Sequence, residues 1–246
     1  HRSYVIHSCD LFYLKMASKV LNLSVVTQAE IKQTASIIFL HGSGDTGHGI
    51  REWVGAVLGK ELSFPHIKIL YPTAPRQGYT PMNGMLSTVW FDRSITPPGR
   101  QRSLACPNGP AEDIWTMTDD KMRGQPQIGI LANRGFSMGG CMAFHLGYRS
   151  RKDIRGVFAL SAFLNKNSVV YQNLASAPQA SLPALIQFHG DQDQLVLPPW
   201  GKDTFQELRS AGVSGHYHTF PDLHHEMNRK EIKMLKDWIL KHLPEL

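Results

Sequence analysis

Residues 135–140 read GFSMGG. Gly135-Phe136-Ser137-Met138-Gly139 fits G-x-S-x-G, the pattern of a serine set on a tight turn between a strand and a helix. Glycines flank such a turn because no side chain fits there. The serine itself takes a strained conformation that lifts its hydroxyl out of the sheet. The residues that follow, CMAFHLGYR (141–149), are apolar enough for the helix that the pattern requires.

On both sides of this turn, short β-branched or apolar runs alternate with stretches of helical spacing. SIIFL (36–40), IKILY (67–71), IGIL (128–131), GVFALS (156–161), PALIQFHG (183–190) and GHYHTF (215–220) read as strands. Helices are expected over 50–62, where Ile50, Trp53, Val54, Val57 and Leu58 recur at helical spacing, and over 111–123 and 199–211. HHEMNRKEIKMLKDWILKHL (224–243) reads as a closing helix, PTAPRQGYTPMNGM (72–85) as a long loop and residues 96–110 as a breaker-rich loop. Strands alternating with helices predict one α/β domain with a mostly parallel sheet over residues 23–246. Residues 1–22 are expected to form a poorly ordered extension.

A second glycine-rich stretch, GSGDTG (42–47), follows the SIIFL strand. Its glycines resemble a dinucleotide-binding turn, which also needs an acidic residue at the end of the next strand to hold the ribose. That strand ends IKILYPTAP, with no Asp or Glu, and the chain has no G-x-x-x-x-G-K-[ST]. GSGDTG therefore reads as a loop whose glycines let backbone N–H groups converge on one point, where they can stabilise a negative oxygen.

Such an oxygen develops when a serine attacks a carbonyl, and attack needs a base and an acid to orient it. HGDQD (189–193) follows a strand, and FPDLHHEM (220–227) lies between a strand and the last helix. Ser, then Asp, then His is the chain order of α/β-hydrolases. Spacing alone leaves Asp191 and Asp193 open as the acid, and His224 and His225 as the base.

The composition narrows the field. Lys and Arg number 26 against 20 Asp and Glu, a net +6 spread along 246 residues. No basic run or nucleic-acid motif accompanies that excess, so nucleic-acid binding is excluded as a reading. The charge is compatible with transient contact with anionic membrane surfaces. No run of 18 apolar residues exists, so no transmembrane helix is expected. Three widely spaced cysteines, Cys9, Cys106 and Cys141, form neither a disulfide framework nor a metal site and fit a reducing, cytoplasmic location.

FLHGSGDTGHG, YPTAP, WFD, GFSMGG, HGDQDQLV and FPDLHHE together resemble the acyl-protein thioesterase and lysophospholipase family of α/β-hydrolases. FSMGGCMA, FALSAFLNK and GSGD in place of GLGD point to its lysophospholipase-like branch. The similarity covers residues 34–95 and 135–246. It implies the α/β-hydrolase fold, a mostly parallel central sheet with helices on both faces. It implies Ser137 as nucleophile, Asp193 as acid and His225 as base, with an oxyanion hole from the backbone N–H groups of Ser43 and Met138. It implies acyl transfer to water without metal or organic cofactor. The expected substrates are acyl esters or thioesters, among them S-acylated proteins, lysophospholipids and small esters. Met82, Met85, Leu86, Trp90 and Phe91 are candidates for an acyl site.

Residues 97–134 depart from the family pattern. Pro97-Pro98-Gly99 and an Asn-Gly-Pro turn stand where a long amphipathic helix is expected, and Asn133-Arg134 separate IGIL from Gly135. A shifted central strand is one consequence of that departure. Its functional counterpart is a catalytically impaired relative that binds lipid-like esters. A peptidase on the same triad is a further alternative.

Overall fold

The computed structural model describes residues 22–27, 33–93, 134–150, 154–176 and 182–245. Residues 1–21 of the N-terminal extension, the helix expected over 111–123, the IGIL strand, the 96–110 loop, Cys9 and Cys106 lie outside the described residues.

Seven strands form one sheet, ordered β1-β3-β2-β6-β7-β8-β9. They are β1 (Leu23–Val26), β2 (Ala35–Leu40), β3 (Ile67–Pro72), β6 (Arg134–Phe136), β7 (Gly156–Leu160), β8 (Ala184–Gly190) and β9 (Gly215–Phe220). β1 pairs antiparallel with β3, and every other pair is parallel. The strands expected at 36–40, 67–71, 156–161, 183–190 and 215–220 are all present, shifted by a residue at most. β1 and β6 were not expected; LSVV and RGF carry too short a pattern to announce strands, and the strand before Gly135 was expected at IGIL.

Parallel strands buried on both faces read as continuous apolar runs, and the two faces separate by alternation. Ile37, Phe39, Phe158, Leu160, Ile186 and Phe188 join one apolar cluster, completed by Ile50 and Val54 of α1 (Gly47–Leu58) and by Ile232, Leu235, Trp238 and Ile239 of α5 (Arg229–His242). Ile38, Leu40, Val157, Ala159 and Leu185 join the other. That second face is covered by Met142, Ala143 and Phe144 of α2 (Met138–His145), Val170 and Leu174 of α3 (Val169–Ser176) and Leu208 of α4 (Pro198–Ser210). Helices thus cover both faces of a mostly parallel sheet, and each fully buried Ile, Leu or Phe contributes about 1.5–3 kcal/mol.

Local signals set the helix ends. Thr46 caps α1 by accepting the Gly49 N–H at 2.9 Å, and Gly59, at φ 75°, ends it in the left-handed conformation. The helix therefore runs earlier than the apolar spacing over 50–62 suggests. Asn228 and Glu231 form a reciprocal capping box at the start of α5. Glu231 is fully buried there. Burial pushes its carboxyl up to about 7, with the Asn228 N–H pulling the other way and the Glu226 charge adding to the rise. A carboxyl protonated more readily in the folded chain loses stability as pH rises from 4.5 towards 7. Glu231→Gln keeps an acceptor for the cap and removes that loss. Its unfolding midpoint should vary less across this range than the wild type's and gain on the order of 2 kcal/mol above it. Equal pH slopes in denaturant titrations of the two proteins would contradict this.

The loop expected over 72–85 is instead largely a hairpin. β4 (Arg76–Tyr79) pairs antiparallel with β5 (Met85–Thr88) across a 3-10 turn at Thr80–Met82. Asn83 and Gly84, at φ 54° and 77°, supply the reversal. Asp92 anchors the turn by accepting the Thr80 N–H and hydroxyl at 2.7 and 2.6 Å.

Candidate active site

The loops that follow β2, β6, β7, β8 and β9 leave from the same, C-terminal edge of the sheet, where open α/β sheets place their sites. β6 lies in the middle of the sheet, paired with both β2 and β7, and Ser137 follows it at once. The Arg134–Phe136 strand is in register with Phe158–Leu160, so the unusual 97–134 segment leaves the strand before the serine aligned.

Ser137 has φ 55° and ψ −116°, a positive-φ conformation outside the regions open to residues with a side chain, and so strained. Its N–H donates to the Leu160 carbonyl at 2.9 Å, which ties the turn to β7. The flanking glycines permit a very close approach. A Cβ on Gly135 would lie 1.8 Å from the Gly139 carbonyl carbon, and one on Gly139 would lie 2.3 Å from the Leu40 carbonyl oxygen. Both obstacles are backbone, so Gly139→Ala must push α2 away from β2. A loss of about 3 kcal/mol or more is expected in chemical denaturation. An unchanged midpoint would contradict this packing.

Asp193 and His225 come together from loops 32 residues apart: His225 Nδ1 lies 2.8 Å from Asp193 Oδ2. Asp193 is buried and also accepts the Leu195 and Val196 N–H groups at 2.9 and 2.8 Å. Burial works to raise its carboxyl. Hydrogen bonds from His189, His225 and Val196, together with the His225 charge, outweigh it and hold the group well below the usual carboxylate range. An ionised carboxylate only accepts, so Nδ1 of His225 carries the proton and Nε2 presents a lone pair. The His225 ring lies 4.8 Å from that of Phe136, the residue before Ser137, and Phe136 in turn meets Trp53 edge-on at 4.9 Å. Asp191 and His224 are exposed, and Asp191 accepts the Asp222 N–H at 2.9 Å.

GSGDTG packs against the same turn. A Cβ on Gly42 would lie 3.4 Å from the Phe136 ring and 3.6 Å from Ser137 Cβ. Met138 opens α2, so its N–H has no acceptor within the helix. Ser43 lies in the turn closed by the Asp45 N–H to Gly42 carbonyl bond. The hairpin braces this loop: the Gly44 N–H donates to the Thr88 carbonyl at 2.9 Å, and the Thr88 hydroxyl to the Asp45 carbonyl at 2.6 Å.

The residue reading did not single out His41, which underpins the loop. It is fully buried, and its Nε2 accepts the Ala74 N–H at 2.9 Å. Nδ1 therefore carries the proton and donates to the Gly42 carbonyl at 2.6 Å. Burial lowers its pKa, against the Gly42 bond and the Asp45 charge, and keeps it neutral, as this donor–acceptor pair requires. His189 was missed in the same way; its buried Nε2 lies 2.8 Å from the Val196 carbonyl and 3.5 Å from Asp193 Oδ2. A histidine at a strand end is the signal both share, and it does not reveal burial.

The acyl-site candidates separate. Met82, Met85 and Leu86 are exposed on the hairpin. Trp90 is buried, and its indole N–H donates to the His41 carbonyl at 2.8 Å. Phe91 is buried beside it, under Arg93. Cys141 is buried on α2. Among the described residues, no cluster of three or more His, Cys, Asp or Glu is placed to hold a metal ion. No described helix is long and apolar enough to cross a membrane.

A family profile described as Phospholipase/Carboxylesterase matches residues 21–243 and so runs through the unusual 97–134 segment. Lysophospholipase-like protein 1 of Mus musculus is 49% identical over 213 residues, covering 87% of this chain and 89% of that protein. Acyl-protein thioesterase 1 homolog 1 of Dictyostelium discoideum is 29% identical over 234 residues, covering 94% and 100%. Among solved structures, Zea mays acyl-protein thioesterase 2 superposes with a TM-score of 0.74 at 22% identity, over 90% of this chain and 99% of that one.

Proposed function

Because this chain belongs to the phospholipase/carboxylesterase family of α/β-hydrolases, we propose that it hydrolyses carboxylic esters or thioesters through Ser137, His225 and Asp193. The observation that carries this reading is the 2.8 Å contact between His225 Nδ1 and the buried Asp193 carboxylate, at the sheet edge where Ser137 stands in its strained turn.

His225 Nε2 takes the proton from the Ser137 hydroxyl as its oxygen bonds to the substrate carbonyl carbon. The carbonyl oxygen becomes an oxyanion, held by the Ser43 and Met138 N–H groups, each contributing on the order of 3 kcal/mol to the transition state. Asp193 fixes the imidazole tautomer and stabilises the imidazolium, without taking the proton itself. The bond from carbon to the leaving oxygen or sulfur breaks, and His225 delivers its proton to the departing alcohol or thiol. Water then attacks the acyl-enzyme, giving a proton to His225. The carboxylic acid departs as Ser137 recovers its hydrogen from that imidazolium.

The relatives' names support acyl substrates of the lysophospholipid and acyl-protein kind. The exposed Met82, Met85 and Leu86 of the hairpin, which is tied to the Gly44–Asp45 turn, would border the acyl group. Matched oxygen esters, thioesters and amides test the reading. Turnover of esters or thioesters above the amide by about a hundredfold or more is expected, and preferential amide cleavage would point to a peptidase.

A further inference from the structure

One cation at this edge of the sheet has no part in the mechanism above. Arg93 follows Trp90, whose indole is bound to His41, and so it leaves the chain on the β2 side of Ser137. Its guanidinium lies 5.5 Å from the centre of the Phe91 ring and 6.0 Å from that of Phe163. Phe163 belongs to the β7 side, three residues past the Leu160 carbonyl that holds the Ser137 N–H. Its ring meets that of Trp200, in the first turn of α4, at 5.0 Å. Because β6 runs between β2 and β7, this guanidinium joins the two flanks of the Ser137 turn.

Among the described residues, no side chain or carbonyl accepts a hydrogen bond from the guanidinium. Arg93 Nε is buried without a partner, and among the described residues no carboxylate pairs with the guanidinium. The adjacent acid, Asp92, is committed to Thr80 and to the Arg93 backbone N–H at 2.8 Å. Arg93 Cζ thus lies over the rings of both Phe91 and Phe163, a setting that suits a cation. The N–H donors of a guanidinium form a planar fork that matches a carboxylate or phosphate. A buried donor left unpaired is costly, and an anion arriving with the substrate would satisfy it.

We propose that Arg93 is a specificity-determining residue that binds an oxyanion carried by the substrate, a carboxylate or phosphate group separate from the scissile carbonyl. This rests on the hydrolase reading. The preferred substrate is then an acyl ester or thioester bearing a second, negatively charged end, in the acyl chain or in the leaving group.

Two substrate pairs separate these sources. 4-Nitrophenyl hexanoate and mono-4-nitrophenyl adipate differ by a carboxylate on the acyl chain, and monooleoylglycerol and its phosphate monoester differ by a phosphate on the leaving group. For each pair, the ratio of kcat/KM on the anionic substrate to that on the neutral one is compared in wild type, Arg93→Met and Arg93→Lys. Arg93→Met keeps an apolar stem against both rings and should lower the ratio about tenfold or more in one pair, which identifies the source. Arg93→Lys should keep part of it, and added salt should erode the wild-type ratio. Equal changes on both members of both pairs in Arg93→Met would overturn the assignment while leaving the hydrolase reading intact. A wild type inert to all four substrates overturns that reading and this one with it.

Discussion

Ser137→Ala is expected to lower kcat/KM for ester hydrolysis on the order of 10⁵- to 10⁶-fold, because the proposed mechanism forms the acyl-enzyme on this hydroxyl. The residual rate comes from substrate binding and the oxyanion donors. Alanine keeps the Cβ, so the φ of 55° and the packing beneath it persist, and the variant should unfold within a few degrees of wild type. The result separates chemistry from folding: activity disappears while the melting curve hardly moves. A Ser137→Ala enzyme within about a hundredfold of wild type would remove the nucleophile from this account.

Asp193→Asn is expected to have the second largest effect, a loss of about 10⁴-fold in kcat. The amide oxygen can still accept the Leu195 and Val196 N–H groups that now meet Oδ1. The amide nitrogen then faces His225 Nδ1, where Oδ2 accepts in wild type. Nδ1 must become the acceptor, the proton moves to Nε2, and the imidazole can no longer take one from Ser137. Loss of the charge also removes the support for the imidazolium. Asp191→Asn should change activity less than about threefold, since that carboxylate accepts the Asp222 N–H on the surface. Comparing the two variants on one ester settles which aspartate acts, and equal losses would contradict the assignment.

β2, β3, β7, β8, β9 and the Ser137 turn were legible because their causes are local. ASIIFL and ALIQFHG are mostly apolar because both faces of the sheet are covered, and the glycines of G-x-S-x-G stand where a Cβ would strike backbone, Gly139 against the Leu40 carbonyl and Gly135 against Gly139. The choice between Asp191 and Asp193, or His224 and His225, was not legible from spacing. It depends on how two distant loops turn, with Asp193 drawn inward by its own loop's N–H groups. The hairpin was hidden because RQGY and MLST carry little strand character; the Asn83-Gly84 reversal and the long reach of Asp92 to Thr80 make it. Trp90 stood among the acyl-site candidates as an aromatic beside a loop, and its indole N–H is in fact taken by the His41 carbonyl. Burial of His41 and Glu231 is a tertiary outcome with no counterpart in composition.

The proposed mechanism turns on Ser137 being an activated nucleophile. Fluorophosphonate labelling of the purified chain, with the modified peptide identified by mass, tests it most directly. Rapid labelling at Ser137 near neutral pH is expected, lost in Ser137→Ala and strongly slowed in Asp193→Asn. A folded wild-type chain that takes up no label would contradict it and leave a protein that binds esters without cleaving them.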